Sequence, residues 1–174
     1  MGTGTKIYTH GAYLSFLDGF PVEFGPITIG NHVWLPGAIV NPNVTIGNNV
    51  VIGVGAVVTR NIPSGSLAMG IPAKVIKENH FPQKFSPKKR ELLVNEFLEH
   101  FQNDIVKDVT NLNYERDTDT VYVLHHHGPP TAFSLSDKCI NGIVTPLTEL
   151  LRNEFRRHGV RFKSFPENKK YIQW

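Results

Sequence analysis

"ITIGNHVWLPGAIVNPNVTIGNNVVIGVGAVVTRNIPSGSLAMGIPAKVIK", residues 27–77, is the stretch that decides the fold. Its aliphatic–glycine pairs are Ile29-Gly30, Ile46-Gly47 and Ile52-Gly53, with Val58 following. From Ile46 to Ile52 and on to Val58 each step is six residues. Leu35 keeps the step from Ile29, and Val40 follows one residue early, so the period is six with one residue missing in the corner 36–39. A six-residue period fits neither a 3.6-residue helix nor the two-residue alternation of a hairpin strand. It fits a parallel coil in which short strands alternate with corners and three strands complete a turn. The aliphatic residue then points inward and stacks on its equivalents above and below. Gly and Asn fill the corners, where tight turns need positive φ or little bulk. An irregular Gly-rich sandwich would not hold the step.

Working outward, the 174 residues suit one medium domain or a compact domain with an appendage. Cys139 is the only cysteine, which excludes an intrachain disulfide and favours a reducing compartment, the cytoplasm. The start, MGTGTKIYTH, has no apolar signal region, and Lys6 stands where myristoylation needs Ser or Thr. The apolar run VVIGVGAVV at 50–58 is far too short to span a bilayer, so no membrane partner is expected. The net charge of +3 is unevenly supported. Residues 1–60 hold only Lys6, Arg60, Asp18 and Glu23, and the other 16 basic and 13 acidic residues lie beyond them. That shift predicts two regions of different construction, 1–79 and 80–174. The balance and the lack of a motif argue against nucleic acid as a partner.

The segment 27–77, and more loosely the chain from His10 on, resembles the hexapeptide-repeat acyltransferases. Ile-Gly-Asn-x-Val-Trp, Gly-Ala-Val-Val-Thr-Arg and Gly-x-Pro-Ala-Lys-Val-Ile stand in that family's order and near its spacing. The resemblance implies a mainly β fold, a left-handed parallel β-helix, and the use of acetyl-CoA with no metal. It implies a homotrimer with the cofactor in a groove between neighbouring subunits. In the family a Thr-His on a loop before the last coils supplies the catalytic base, and Thr9-His10 matches it in sequence and position. Imidazole changes charge near neutral pH, so it can take a proton from a hydroxyl or amine and return it to a leaving thiolate.

By the same resemblance Trp34 flanks the pantetheine arm and the backbone N–H of Gly37 poises the thioester oxygen. Ala56 leaves room for the cofactor at the coil wall. Thr59 and Arg60 reach the phosphates, with Lys74 and Lys77 helping. Pro36 stands where the family commonly has glycine and has no N–H to donate. His32 reads as a surface corner residue. Only nine residues precede His10, where the family has several coils, so the chain is expected to start partway through the pattern.

Beyond residue 78 the repeat ends. Ser86-Pro87 opens a predicted amphipathic helix with Leu93, Phe97, Phe101 and Ile105 inward. "TVYVL" (120–124), "TAFSL" (131–135) and "VRFKSF" (160–165) read as strands. Thr145-Pro146 opens a second helix with Leu147, Leu150, Leu151 and Phe155 inward, stopped by Gly159. This makes a C-terminal α+β extension. The histidines of "HHHGPP" (125–130) alternate sides in a strand and cannot converge on one ion. Arg152, Arg156, Arg157 and Arg161 form a basic cluster, a solvated face or an anion site.

The reading that follows is an acetyl-CoA-dependent O- or N-acetyltransferase of a small acceptor, a sugar, with His10 as base. Two other classes stand beside it. One is a non-catalytic trimeric scaffold. The other is a metal-dependent hydratase of the γ-carbonic-anhydrase type, which needs three His ligands where the repeat region offers only His10 and His32.

Overall fold

The structure is a computed structural model, and it describes residues 2–12, 14–106 and 111–164, with Ser164 through its backbone alone. Two compact units divide the chain at residues 84 and 85.

In the first unit the strands are two to four residues long, and the parallel ones pair with strands well separated along the chain. They are β1 (Lys6–Ile7), β2 (His10–Gly11), β3 (Glu23–Phe24), β4 (Thr28–Ile29), β5 (Ile39–Val40), β6 (Thr45–Ile46), β7 (Val51–Ile52), β8 (Val57–Val58), β9 (Leu67–Met69) and β10 (Lys74–Lys77). Three parallel stacks result. In the first, β5 lies between β1 and β8, with Lys6 opposite Ile39 and Ile39 opposite Val57. In the second, Thr28 of β4 lies opposite Thr45 of β6, and Ile46 bridges to Ile62. In the third, Trp34 bridges to Val51, and β7 pairs with β9, Val51 opposite Leu67. β10 then folds back antiparallel on β9. The chain visits the three stacks in rotation, as the six-residue period requires.

The faces that carry β5 to β8 each send two side chains inward, not one. Val40, Ile46, Ile52 and Val58 are buried, and so are Ala38, Val44, Val50 and Ala56, two residues before each. All face one aliphatic core with Leu35, Ile62 and Ala68. Each fully buried Val or Ile contributes about 1.5–3 kcal/mol by leaving water. The short step from Leu35 to Val40 is absorbed at Pro36-Gly37, where Gly37 takes φ +57°. Between Val58 and Ile62 the corner is shorter still, a second contraction that the aliphatic–glycine pairs did not reveal. Corners are laced by side chains that stand in for backbone. Asn48 Oδ1 accepts from Asn31 N at 2.7 Å, Ser64 Oγ from Asn48 N at 3.0 Å, and Asn61 Oδ1 from Thr45 N at 2.7 Å. His32 is exposed with φ +56°, a corner residue. The segment before His10 belongs to the coil, since Gly2 N donates to Leu35 O and Lys6 N to Ala38 O, both at 2.9 Å.

The second unit is built differently. α1 (Pro87–His100) is capped by Ser86, whose hydroxyl accepts from Lys89 N at 3.2 Å, and it runs into a wider π-helical turn, Phe101–Ile105. A five-stranded sheet follows: β11 (Leu112–Glu115), β12 (Thr120–Val123), β13 (Thr131–Ser134), β14 (Cys139–Asn141) and β15 (Lys163–Ser164), paired in that order. The pairings are antiparallel except β14 with β15. α2 (Pro146–Arg157) opens with a reciprocal Thr145–Thr148 capping box.

Some expectations shift here. Leu93 and Leu150 are exposed, and the inward faces use Val94, Leu98 and Phe101 in the first helical segment and Thr148, Leu151, Glu154 and Phe155 in α2. Of "VRFKSF" only Lys163–Ser164 pairs, and Phe165 lies outside the described residues. β11 and β14 had no sequence reading. Neighbouring aromatic rings tie the unit together, with Phe97 stacked on Phe155 at 4.3 Å and Phe162 edge-on to Phe155 at 5.3 Å. Arg90 of α1 grips Asp119 with two hydrogen bonds of 2.9 and 2.7 Å, and Tyr114 adds a third at 2.8 Å. Among the described residues no helix is long and apolar enough to cross a membrane.

Candidate functional site on the coil

The first stack carries the candidates at both of its ends. β1 leads to Thr9-His10 and β8 leads to Thr59-Arg60, and the in-register pairing of β1, β5 and β8 makes these exits of one corner column. His10, Thr59 and Arg60 are all exposed. His10 is held in β2 rather than in an open loop: it pairs with Phe24 of β3, and the rings stack at 6.3 Å with an interplanar angle of 16°. Gly25 N donates to Thr9 O at 3.0 Å and closes this small hairpin. Phe24 had no signal in the repeat. It meets His10 only because β3 pairs antiparallel with β2.

At the other end of the stack lies a column of left-handed glycines, Gly4, Gly37 and Gly55, with φ of 80°, 57° and 71°. Gly37 N–H has no acceptor among the described residues, so it can donate outward. Trp34, just before this corner, is 56% exposed and is not a packing residue in the single chain. Lys74 and Lys77 are exposed on β10. The turn before Lys74 leans on the first stack, with Ala73 N donating to Val57 O at 2.8 Å.

The Ala56 methyl faces inward. The residue is 1% exposed, and its methyl is part of the aliphatic core because its position is one of the two inward ones on each face. It offers no side-chain surface to a cofactor. The structure therefore brings His10, Thr59 and Arg60 to one edge of the coil, and Trp34, Gly37 and Lys74 toward another, with Lys77 farther along β10.

Between β2 and β3 the described residues expose Leu14, Phe16, Leu17 and Phe20, four large apolar side chains. The histidines of 125–127 make no such site: His125 meets Thr131 Oγ1 at 2.9 Å, and His126 and His127 are exposed. Among the described residues no group of three His, Cys, Asp or Glu side chains is arranged to hold a metal ion.

Residues 26–60 match the family model of the bacterial transferase hexapeptide (six repeats). The resemblance to hexapeptide-repeat acetyltransferases therefore holds over this segment. Galactoside O-acetyltransferase of Escherichia coli (strain K12) is 54% identical over 54 residues, 30% of this chain and 27% of that one. Among solved structures, a maltose O-acetyltransferase from Clostridium difficile 630 is 40% identical with a TM-score of 0.38, over 42% of this chain and 41% of that one. A hexapeptide-repeat acetyltransferase from Vibrio cholerae O1 biovar eltor, complexed with acetyl coenzyme A, is 30% identical with a TM-score of 0.38, over 42% of each chain. The chain thus spans less than half the length of each of these proteins.

Proposed function

We propose that the chain is an acetyl-CoA-dependent acetyltransferase acting on a hydroxyl or amine of a small acceptor, a sugar. The observation that carries this reading is His10: an exposed imidazole on a short strand leaving a rigid coil, in a chain whose repeat resembles acetyltransferases. His10 accepts the acceptor's proton as the oxygen or nitrogen attacks the thioester carbonyl. The tetrahedral oxyanion is held by backbone donors, with Gly37 N–H the candidate. Collapse expels the CoA thiolate, and the imidazolium returns the proton to it. Trp34, Thr59, Arg60, Lys74 and Lys77 line the cofactor's path.

The coil is the left-handed parallel β-helix of the family, residues 1–79 forming the catalytic part and 80–174 an extension, in a cytoplasmic homotrimer. The division of candidates between two edges supports the trimer. Packing three coils about an axis sets the His10 edge of one copy against the Gly37 edge of the next and makes three equivalent grooves. It also covers apolar surface such as Phe16 and Leu17.

The test is thiol release from acetyl-CoA across a panel of sugars and amines. Replacing His10 with Ala should lower turnover by roughly 10²–10⁴, the range for a positioned base. The melting temperature should hardly move, because the side chain is exposed. Undiminished activity in the purified variant would end the base assignment, and failure to bind CoA at all would leave the scaffold reading.

A further inference from the structure

The C-terminal unit holds a cavity of about 480 Å³ between one face of α2 and the segment that follows it. Arg152 and Arg156, one helical turn apart, share that face. Gly159, at φ +80°, turns the chain back, and Val160 N donates to Phe155 O at 2.9 Å. Phe162 is anchored edge-on to Phe133 and Phe155 at 5.4 and 5.3 Å. Arg161 and Lys163, on either side of that anchor, both line the cavity opposite the helix.

The charges in this cavity do not balance. Glu149 pairs with Arg152 at 3.2 Å. Among the described residues Arg156, Arg161 and Lys163 have no carboxylate partner. The same helix does pair its next arginine, since Arg157 meets Glu154 at 2.9 Å. Three unpaired cations around one concavity repel one another, and an anion between them relieves that cost. Guanidinium forks match phosphate oxygens two at a time, and a lysine adds a point charge. The volume lies within the ~300–1,000 Å³ of small-molecule sites, and Val160 supplies an apolar wall.

We propose that this cavity binds a small phosphate ester or diphosphate, its phosphoryl oxygens held by Arg156, Arg161 and Lys163. The site is independent of acetyl transfer and does not rest on the role given to His10.

Calorimetric titration of the full chain with inorganic pyrophosphate and with adenosine 5′-diphosphate tests it. Saturable one-to-one binding that weakens with added salt is expected. The double variant Arg156→Ala/Arg161→Ala should lose ~10-fold or more in affinity, as expected on losing hydrogen bonds to charged groups. Arg157→Ala, whose partner is Glu154, should bind as the parent does. If the double variant melts early, Arg156→Gln alone, which keeps the stem, should still weaken binding. Unchanged affinity in the folded variants would overturn the proposal, as would no saturation at millimolar ligand. Two further results would overturn it in favour of another partner. One is binding to vesicles containing phosphatidylglycerol with none to the soluble diphosphates. The other is affinity for duplex DNA that grows with its length while the diphosphates fail.

Discussion

The two units bury their apolar side chains by different rules. The core of the coil is Val, Ile, Leu and Ala, without a buried aromatic, and among the described residues every ion pair lies beyond residue 85. The C-terminal unit packs Phe101, Phe133 and Phe155 with Leu151 and Ile140 and fastens α1 to a hairpin through Arg90 and Asp119. A repeating core tolerates only small, similar residues because each must stack on the same position one turn away. A core assembled once can use large rings of particular shape, whose fit depends on each neighbour. The coil is fixed by period, the second unit by individual contacts.

The largest expected effect breaks the second unit at its hub. Phe133 is fully buried and meets both Phe155 and Phe162. Phe133→Ala should cost about 3–5 kcal/mol, the usual range for truncating a buried phenylalanine. If the units are as separate as their cores suggest, the early transition on heating should spare the coil's β signal in circular dichroism. Loss of both signals together would mean that the aromatic unit supports the coil.

The matching break in the coil is at a corner. A Cβ added to Gly47 would lie 2.6 Å from Ser64 N, a backbone atom of the next turn. Gly47→Ala should therefore cost about 1–3 kcal/mol through overpacking. Gly55→Ala meets nothing within 4 Å, and only its φ of +71° resists the change, a cost of roughly 1–2 kcal/mol. Chemical denaturation of the pair separates stacking from backbone strain. Equal losses would mean that the corners have slack.

The same contrast explains what could be read in advance. Ile46, Ile52 and Val58 announce the coil because burial recurs at a fixed step, and one such column is enough to recognise it. The second inward column, Val44, Val50 and Ala56, is hidden in the sequence because small and β-branched residues also fill outward positions. In the second unit the helix starts are legible because Ser86-Pro87 and Thr145-Pro146 act locally, and the β-branched and aromatic runs at 120–124 and 131–135 mark β12 and β13. The pairing of β11 and β14, and the meeting of His10 with Phe24, depend on chain segments closing at a distance, for which no short pattern exists.

A smaller effect separates the units by pH. Burial alone would push the Asp119 carboxyl up, but hydrogen bonds from Arg90 and Tyr114, together with the Arg90 charge, outweigh it and hold the group below its ordinary value. The stability this gives is present above the unfolded carboxyl value of about 4 and is lost as pH falls through the depressed folded value. Tyr114 is pushed up to about 12, chiefly by burial and then by Asp119, so its contribution is fully present below the unfolded tyrosine value of about 10 and is lost as pH rises from there through the raised value. In acid the C-terminal unit should loosen first. Asp119→Asn should flatten that acid limb, and near-ultraviolet circular dichroism against pH would reveal it. A parent and variant with superimposable profiles would remove the network from the account.

The smallest effect comes from the one place where the coil breaks its own rule. Ser66 is fully buried at an inward position, beside Val50 through the pairing of β7 with β9, and its hydroxyl has no hydrogen-bond partner among the described residues. A buried hydroxyl left without a partner costs about 1–3 kcal/mol in lost hydration, whereas a methyl at the same point costs nothing of that kind. Ser66→Ala removes one atom and leaves only a small gap, so the gain and the lost packing oppose each other. The gain should prevail, giving a stabilisation of about 1 kcal/mol. Urea denaturation at unchanged slope would measure it. A destabilisation of similar size would mean that the hydroxyl is satisfied, for instance by an enclosed water bridging the last turn. The coil's core would then contain a polar joint, and the division between a periodic aliphatic unit and a contact-built aromatic one would be less sharp than its side chains suggest.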